Sequence, residues 1–367
     1  MAEVLSQHWY QVEHNPQING WQLRTLSALK RCRTAELGGH VDACTDCGNV
    51  RVSYNSCRNR HCPKCQGKNR EKWLKAREAE LLPVPYFHVV FTLPDTLNRL
   101  ALHRPRAVYD SLFDAAWKTV SQFAKDPLHL GAKPGMIAIL HTWGQQLSLH
   151  PHLHCIVPGG GLTKSGKWKT AKSKGKFLFP VKAMSKVFRA VYVKALKTRI
   201  DPGRELVGQL FQKEWVVYAK RPFGHPKAVL EYLGRYTHKV AISNQRIIDI
   251  SPTNTVFSYK DYRLGAQKLE MSLENMEFIR RFSMHVLPKG LVRIRHFGIL
   301  GSSAKGVTVP LVNRELGVLQ LSEEPRMLAE YNPRFCNCCQ KETMVSIQRL
   351  PTRGPPPTVW PAVLSKN

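Results

Sequence analysis

Apolar positions along the chain fall into short β-prone runs separated by longer stretches with helical spacing. Phe87-His88-Val89-Val90-Phe91-Thr92-Leu93 reads as a buried strand that Pro94 ends. A helix leads into it over 71–82, and another is expected near 106–125. Strands follow at 136–143 and 152–158, with 144–149 able to turn the chain between them, and Gly159-Gly160-Gly161 gives a flexible exit. Residues 164–176 read as an exposed loop or hairpin. Pro180 opens a helix to about Arg199, and Trp215-Val216-Val217-Tyr218 is a strand. Pro226 suits the first turn of a further helix. Strands near 240–250 and 255–260 and a helix at 272–284 complete the pattern. The tail, with Pro355-Pro356-Pro357, is expected to be disordered. Strands and helices in this mixed order, with short hairpin connections and no internal repeat, predict an α+β fold with an antiparallel sheet rather than a doubly wound parallel one.

Charge changes the picture next. The 367 residues, enough for two or three domains, include 55 Lys+Arg against 26 Asp+Glu, a formal net charge of +29. Solubility does not require so much charge of one sign, so a polyanionic partner is implied, and nucleic acid is the economical choice. An anionic membrane is the alternative, but no stretch approaches ~20 apolar residues and no basic helix has a clean apolar face. The Met1-Ala2-Glu3-Val4 start has neither the charged lead nor the apolar block of a signal peptide. A cytoplasmic, nucleoid-associated protein is expected, and its ten cysteines are then better read as metal ligands than as disulfides.

Six of those cysteines lie within residues 1–75. Cys44-x2-Cys47 and Cys62-x2-Cys65 each let one tight turn present two sulfurs to tetrahedral zinc. Four thiolates leave no open coordination position, so the expected role is structural. Cys32, His40, Cys57 and His61 interleave with them. Joining Cys32/His40 to Cys57/His61, and Cys44/Cys47 to Cys62/Cys65, predicts a cross-braced module with two zincs. The blander alternative is one zinc, with Cys32 a buried thiol and His40 a loop residue. Residues 58–77 carry eight Lys/Arg and one Glu, which makes Arg58, Arg60 and Lys64 candidate phosphate contacts. Six lysines and no acid in 164–176 add Lys167, Lys169, Lys172 and Lys174. Cys336, Cys338 and Cys339 form a partial cluster, either a half-site completed by a histidine or nothing.

Catalytic chemistry is suggested by Leu149-His150-Pro151-His152-Leu153-His154-Cys155. Side chains alternate along a strand, so His152 and His154 point the same way, and a hairpin through 144–149 would set His141 opposite His152. Three imidazoles could then converge on one cation; hydrogen-bonded core histidines are the plainer alternative. In Glu231-Tyr232-Leu233-Gly234-Arg235-Tyr236-Thr237-His238, two tyrosines four apart share one helical face beside Arg235 and Lys239. Core packing would explain the same spacing. Tyr259 and Tyr262 are a competing pair, three apart in a strand-like run.

Asn55-Ser56-Cys57-Arg58-Asn59-Arg60-His61-Cys62-Pro63-Lys64-Cys65-Gln66, His150-Pro151-His152-Leu153-His154 and Tyr232-Leu233-Gly234-Arg235-Tyr236-Thr237-His238 together resemble the insertion sequence 91 family, two-tyrosine rolling-circle transposases of the HUH superfamily. Similarity continues through Phe278-Ile279-Arg280-Arg281-Phe282 and His285-Val286-Leu287-Pro288-Lys289-Gly290. The resemblance spans about residues 20–300. It implies a zinc-binding, DNA-binding domain over 1–75 and a ferredoxin-like antiparallel HUH palm over 76–300. The remaining 301–367 form a C-terminal region. It further implies catalytic Mg²⁺ or Mn²⁺ on His152 and His154, and nucleophiles at Tyr232 and Tyr236. Analogy with three-histidine relaxases adds His141 as third ligand, with His150 or a Gln or Glu elsewhere competing. The implied activity is cleavage and transfer of single-stranded transposon ends and target DNA through 5′-phosphotyrosine. A replication initiator or relaxase, and a non-catalytic zinc regulator, are the rival readings.

Overall fold

The computed structural model describes residues 1–66, 74, 80–171, 178–219, 223, 228–229, 234, 240–262, 264–317 and 332–352. Its element types are mixed α and β, and its described sheets are antiparallel. Three helices, α1 (Ala2–Gln7), α2 (Trp9–Glu13) and α3 (Gly20–Lys30), precede a hairpin of β1 (Gly39–Cys44) and β2 (Val50–Tyr54). Asn19 caps α3 by accepting from the Gln22 amide while the Gln22 side chain returns to the Asn19 amide, a reciprocal box that fixes where the helix starts.

The central sheet has five strands. β3 (Tyr86–Thr92), β4 (Gly135–Trp143) and β5 (Leu149–Pro158) form its middle, with β8 (Val217–Ala219) and β12 (Ile294–Gly298) at its edges; the order is β12-β4-β5-β3-β8. Between β3 and β4 run α4 (Asn98–His103) and α5 (Pro105–Lys125). After β5 come a small hairpin of β6 (Gly160–Leu162) and β7 (Trp168–Thr170), then α6 (Val181–Lys197) and α7 (Arg204–Gln212).

One sheet face carries Phe87, Val89, Phe91, Met136, Ala138, Leu140, Leu153, Cys155 and Val157, all buried. On α5, Val108, Leu112, Ala116, Val120 and Ala124 recur every fourth residue; on α6, Met184, Phe188, Tyr192 and Leu196 do the same. Those stripes cover the face and form the main core. Residues on the opposite face begin with Tyr86, Ile137, Ile139 and Ile156, packed with Leu82, Val84 and Val229 and with Val309 and Val312 of α9 (Lys305–Glu315). Further along, that second face turns from apolar to imidazole.

A separate three-stranded sheet, β9 (Ile247–Ile250), β10 (Asn254–Asp261) and β11 (Gln267–Glu274), leads into α8 (Asn275–Ser283). Phe257, Phe278, Ile279 and Phe282 share one core with Val4, Leu5, Val12, Leu26 and Leu29 of the N-terminal helices. Trp21 Nε1 donates to the Val286 carbonyl at 3.2 Å, and Gln22 Nε2 to that of Ser283 at 2.9 Å. The last strand, β13 (Met344–Leu350), returns to pair with β1. β13 thus pairs with a strand of the N-terminal region, and the N-terminal helices share their core with Phe257, Phe278, Ile279 and Phe282.

The expected helix at 272–284 starts only at Asn275; Lys268-Leu269-Glu270-Met271-Ser272-Leu273 alternates polar and apolar and forms β11 instead. The expected 71–82 helix and the disordered tail fall mostly outside the described residues, and the 164–176 lysine segment begins as the β6–β7 hairpin. That hairpin crosses at Gly160, where a Cβ would sit 2.6 Å from the Trp168 ring, so only glycine fits.

Candidate active site and metal centres

The β4–β5 register sets out the histidine site. His141 lies opposite His152, and Ile139 opposite His154. Alternation along β5 sends His152 and His154 to one face, and His141 joins them from β4. One nitrogen from each of the three rings lies within 4.8 Å of the others. His152 Nδ1 is 2.6 Å from the His150 carbonyl, which can only accept, so Nδ1 carries the proton and Nε2 keeps its lone pair. Burial holds the His152 imidazole down to about 4, so it is neutral near pH 7. Its Nε2 stands 3.2 Å from His154 Nε2. Two lone pairs at that distance require a proton or a cation between them. Two ligand atoms at right angles on a divalent cation about 2.1 Å away would be about 3 Å apart, so the donor set fits such an ion. His150 contributes its carbonyl and is not among the converging rings.

Sequence reasoning missed His88. It lies on β3 across from Ile156, buried, and its Nε2 is 2.9 Å from His154 Nδ1. A histidine that presents Nε2 to a metal carries its proton on Nδ1, and His88 is placed to accept it. The available signal was a single imidazole in an otherwise apolar strand. Trp143 stacks on His141 at 4.7 Å and steadies that ring.

Tyr232, Tyr236 and Arg235 lie outside the described residues. Around them, Ala228, Val229 and Gly234 are helical, and Val229 is buried in the cluster with Tyr86, Ile137, Ile139 and Ile156, on the histidine-bearing face. The competing Tyr259 and Tyr262 sit in and just after β10, on the separate small sheet.

The cysteines group differently from the cross-brace expected. One group is Cys32, Cys57, Cys62 and Cys65; the other is Cys44, Cys47, Cys336 and Cys339. Cys44 and Cys47 flank the β1–β2 turn, whereas Cys57, Cys62 and Cys65 follow β2 at the hairpin's open end. A strand of this length spans roughly 17 Å, too far for the two tight pairs to share an ion. His40 instead faces Asp42, with Nε2 to Oδ2 at 3.4 Å. His61 Nε2 accepts the Leu287 amide at 3.2 Å, and burial pushes its imidazole down to about 3, which keeps it neutral. Sulfurs in the first group approach at 3.5 Å (Cys32 to Cys65) and 3.7 Å (Cys57 to Cys65). A disulfide would require about 2 Å, while four sulfurs around zinc at about 2.3 Å are separated by about 3.8 Å.

Among the basic candidates, Arg58 and Lys167 are exposed and Lys169 is half-buried. Lys64 is exposed, yet its Nζ donates to the Cys32 carbonyl at 3.1 Å. Arg60 is turned inward: its guanidinium donates to the carbonyls of Leu287, Pro288 and Leu291. It clasps the chain after α8 rather than facing phosphates. Lys172 and Lys174 lie outside the described residues. Among the described residues, no helix is long and apolar enough to cross a membrane.

Residues 4–93 match the family model described as "Transposase zinc-binding domain", and residues 135–306 the one described as "Putative transposase". A protein of Sinorhizobium fredii named "Putative transposase y4qJ" is 41% identical over 379 aligned residues, which cover 96% of this chain and 95% of that protein. The chain belongs to the insertion sequence 91 transposase family. The "Transposase for insertion sequence element IS801" of Pseudomonas savastanoi pv. phaseolicola is 27% identical over 336 residues, 88% of this chain and 80% of that one. No solved structure matches. In this transposase the 135–306 match takes in the histidine site and both tyrosines, and the 4–93 match takes in the first cysteine group. The match leaves Cys336 and Cys339 outside. Membership makes the chain an enzyme, so the regulator and replication-initiator readings give way.

Proposed function

We propose that this transposase cuts and rejoins single-stranded DNA through 5′-phosphotyrosine, on a central sheet that serves as an HUH palm. The observation that carries the reading is the convergence of His141, His152 and His154 on one sheet face, where Val229, three residues before Tyr232, is also buried. Held by the three histidines, Mg²⁺ or Mn²⁺ would supply a Lewis acid for the oxygens of the scissile phosphate. The tyrosine does the bond-making. Its phenol loses a proton, its oxygen attacks phosphorus, and the O3′ leaves and gains a proton. The phosphotyrosine ester keeps the energy of the broken bond, so a free 3′-OH can reverse the step without ATP. Two tyrosines allow two strand ends to be held at once. Cys32, Cys57, Cys62 and Cys65 would hold a zinc that ties the N-terminal module to the core it shares with α8.

A single-stranded oligonucleotide carrying a transposon end, incubated with the protein and Mn²⁺, should yield a band on a denaturing gel that contains both the protein and the fragment whose new 5′ end lies at the nick. The Tyr232→Phe/Tyr236→Phe variant, which lacks only the attacking oxygens, should give none. An adduct formed by that variant would move the nucleophile elsewhere, Tyr259 and Tyr262 being next in line.

Strand binding should also respond to salt. Affinity for single strands should fall with a slope of about −0.7 per phosphate contact in a log–log plot. Replacing Lys167, Lys169, Lys172 and Lys174 by alanine should flatten the slope. A slope unchanged by the four substitutions would mean that these lysines do not touch the strand.

A further inference from the structure

The cysteines near the two ends of the described chain form matching turns. In the first, the Cys44 amide donates to the Asn49 carbonyl at 2.9 Å and the Gly48 amide to the Cys44 carbonyl at 3.1 Å. In the second, the Cys336 amide donates to the Lys341 carbonyl at 2.7 Å and the Gln340 amide to the Cys336 carbonyl at 2.9 Å. Each turn presents two cysteines three residues apart, and the residue after the second cysteine is left-handed in both: Gly48 at φ 71° and Gln340 at φ 62°. Gln340 adopts this conformation although it is not glycine, so the turn is held by what it presents.

What the turns present is a set of four sulfurs. Cys44 Sγ lies 3.6 Å from Cys339 Sγ, and Cys47 Sγ lies 3.7 Å from Cys336 Sγ. These separations again match the edge of a zinc tetrathiolate, about 3.8 Å, and not a disulfide. Donors surround the set as they do a thiolate: the Thr343 hydroxyl reaches Cys44 Sγ at 3.0 Å, the Cys47 amide reaches it at 3.5 Å, and Asn49 Nδ2 reaches Cys336 Sγ at 3.8 Å. Lys341 Nζ and Asp46 Oδ2, one on each turn, pair at 2.7 Å.

Among the described residues, the C-terminal turn is tied to the N-terminal hairpin by Thr45 donating to the Thr343 carbonyl, Arg51 donating to the Pro333 carbonyl at 2.8 Å and the Lys341–Asp46 pair. The apolar cluster there is only Cys44, Cys336 and Met344, with Cys339 against it. Along β13, Met344 alone is buried, and Val345 and Ile347 are exposed. Seven residues of ladder with so small a core must nonetheless keep together turns that lie 289 and 295 residues apart in the chain.

We propose that Cys44, Cys47, Cys336 and Cys339 bind a second structural zinc, closing β1, β2 and β13 into a zinc ribbon built from both ends of the chain. Cys336 and Cys339 lie beyond the segment that matches the zinc-binding family model. Cys338 faces solvent and takes no part.

The full-length protein should contain two zincs by elemental analysis. Cys336→Ser/Cys339→Ser should contain one, and amides of Met344–Leu350 should lose their protection from hydrogen exchange. Cys44→Ser/Cys47→Ser should also contain one and expose the same distant strand. Either double variant keeping two zincs would overturn the proposal. Alkylation of the unmutated protein tests it without any risk of misfolding. Both Cys47 and Cys338 are exposed, so as free thiols they would react alike. Bound to zinc, Cys47 should resist iodoacetamide together with Cys44, Cys336 and Cys339 while Cys338 reacts, and a chelator should release the four together. Cys47 reacting as fast as Cys338 in zinc-replete protein would refute the site.

Discussion

His152→Ala and His154→Ala should each abolish metal-dependent cleavage while leaving strand binding within a few-fold of the unmutated protein. Both side chains belong to the one group of three converging histidine nitrogens among the described residues, and both sit on β5, the middle strand of the central sheet. Removing a ligand takes away part of the charge stabilisation available to the scissile phosphate. Several kcal/mol of such stabilisation, at about 1.4 kcal/mol per tenfold, corresponds to a rate loss on the order of 10³-fold. On the proposed reading strand binding should draw on lysine and arginine side chains elsewhere, and so should survive. His88→Ala should be milder. Its imidazole meets His154 Nδ1 rather than the convergent nitrogens, so it orients a ligand, and losses of that kind run about 10–100-fold in metal affinity. A Mn²⁺ titration separates the cases: His88→Ala should shift the half-maximal concentration upward and recover activity at high Mn²⁺, whereas His152→Ala should not recover. Cleavage by His152→Ala at the unmutated rate would detach the histidine cluster from the chemistry altogether.

What the sequence disclosed follows the range of each interaction. The histidine site was legible because it depends on strand alternation and one short hairpin, both local; His141 meeting His152 needs only the five residues between β4 and β5 to turn. The helices of the main core were legible for the same reason, since a fourfold spacing such as Val108, Leu112, Ala116 and Val120 is written within the helix itself. The clustered cysteines were legible as residue types, and the partnerships expected of them differ from those the structure brings together. Spacing shows that Cys44 and Cys47 occupy one turn, but nothing near them shows that the matching turn starts at Cys336. His40 and His61 carried the right chemistry for zinc and were drawn off by nearer partners, Asp42 and the Leu287 amide. Arg60 looked like a phosphate contact in a basic run until the carbonyls of Leu287, Pro288 and Leu291 enclosed it. The edge strand β12 and the terminal strand β13 escaped notice because their half-exposed and exposed sequences, Ile294–Gly298 and Met344–Leu350, carry little apolar pattern. Their places are set by the strands beside them.

Cys62→Ser should do more damage than any other single substitution outside the histidine site. Cys62 is 1% exposed, and its neighbours are not confined to the other three sulfurs. It belongs to the apolar core that joins Leu26 and Leu29 of α3 to Phe278, Ile279 and Phe282 of α8, with Leu147 from the β4–β5 connection. A structural zinc contributes on the order of 10 kcal/mol to the fold of a small module, comparable to the whole stability of an ordinary domain. Serine oxygen is a poor substitute for thiolate on zinc, so the first cysteine group should lose its ion. The chain around Cys32 and residues 55–66 should then lose their fixed structure, and α8 should lose the surface on which it packs. Arg60 and His61 immediately precede Cys62 and hold the chain after α8 through nearby carbonyls and the Leu287 amide, so the disturbance should reach 284–291 as well. Hydrogen exchange should show protection lost across α3, α8 and 284–291, with α5 and α6 on the far side of the central sheet retaining theirs. The zinc content should fall by one, and adding zinc should not restore it. If Cys62→Ser kept its full zinc content and a protected α3, the Cys32, Cys57, Cys62 and Cys65 group would not be what holds the N-terminal module to the rest of the transposase.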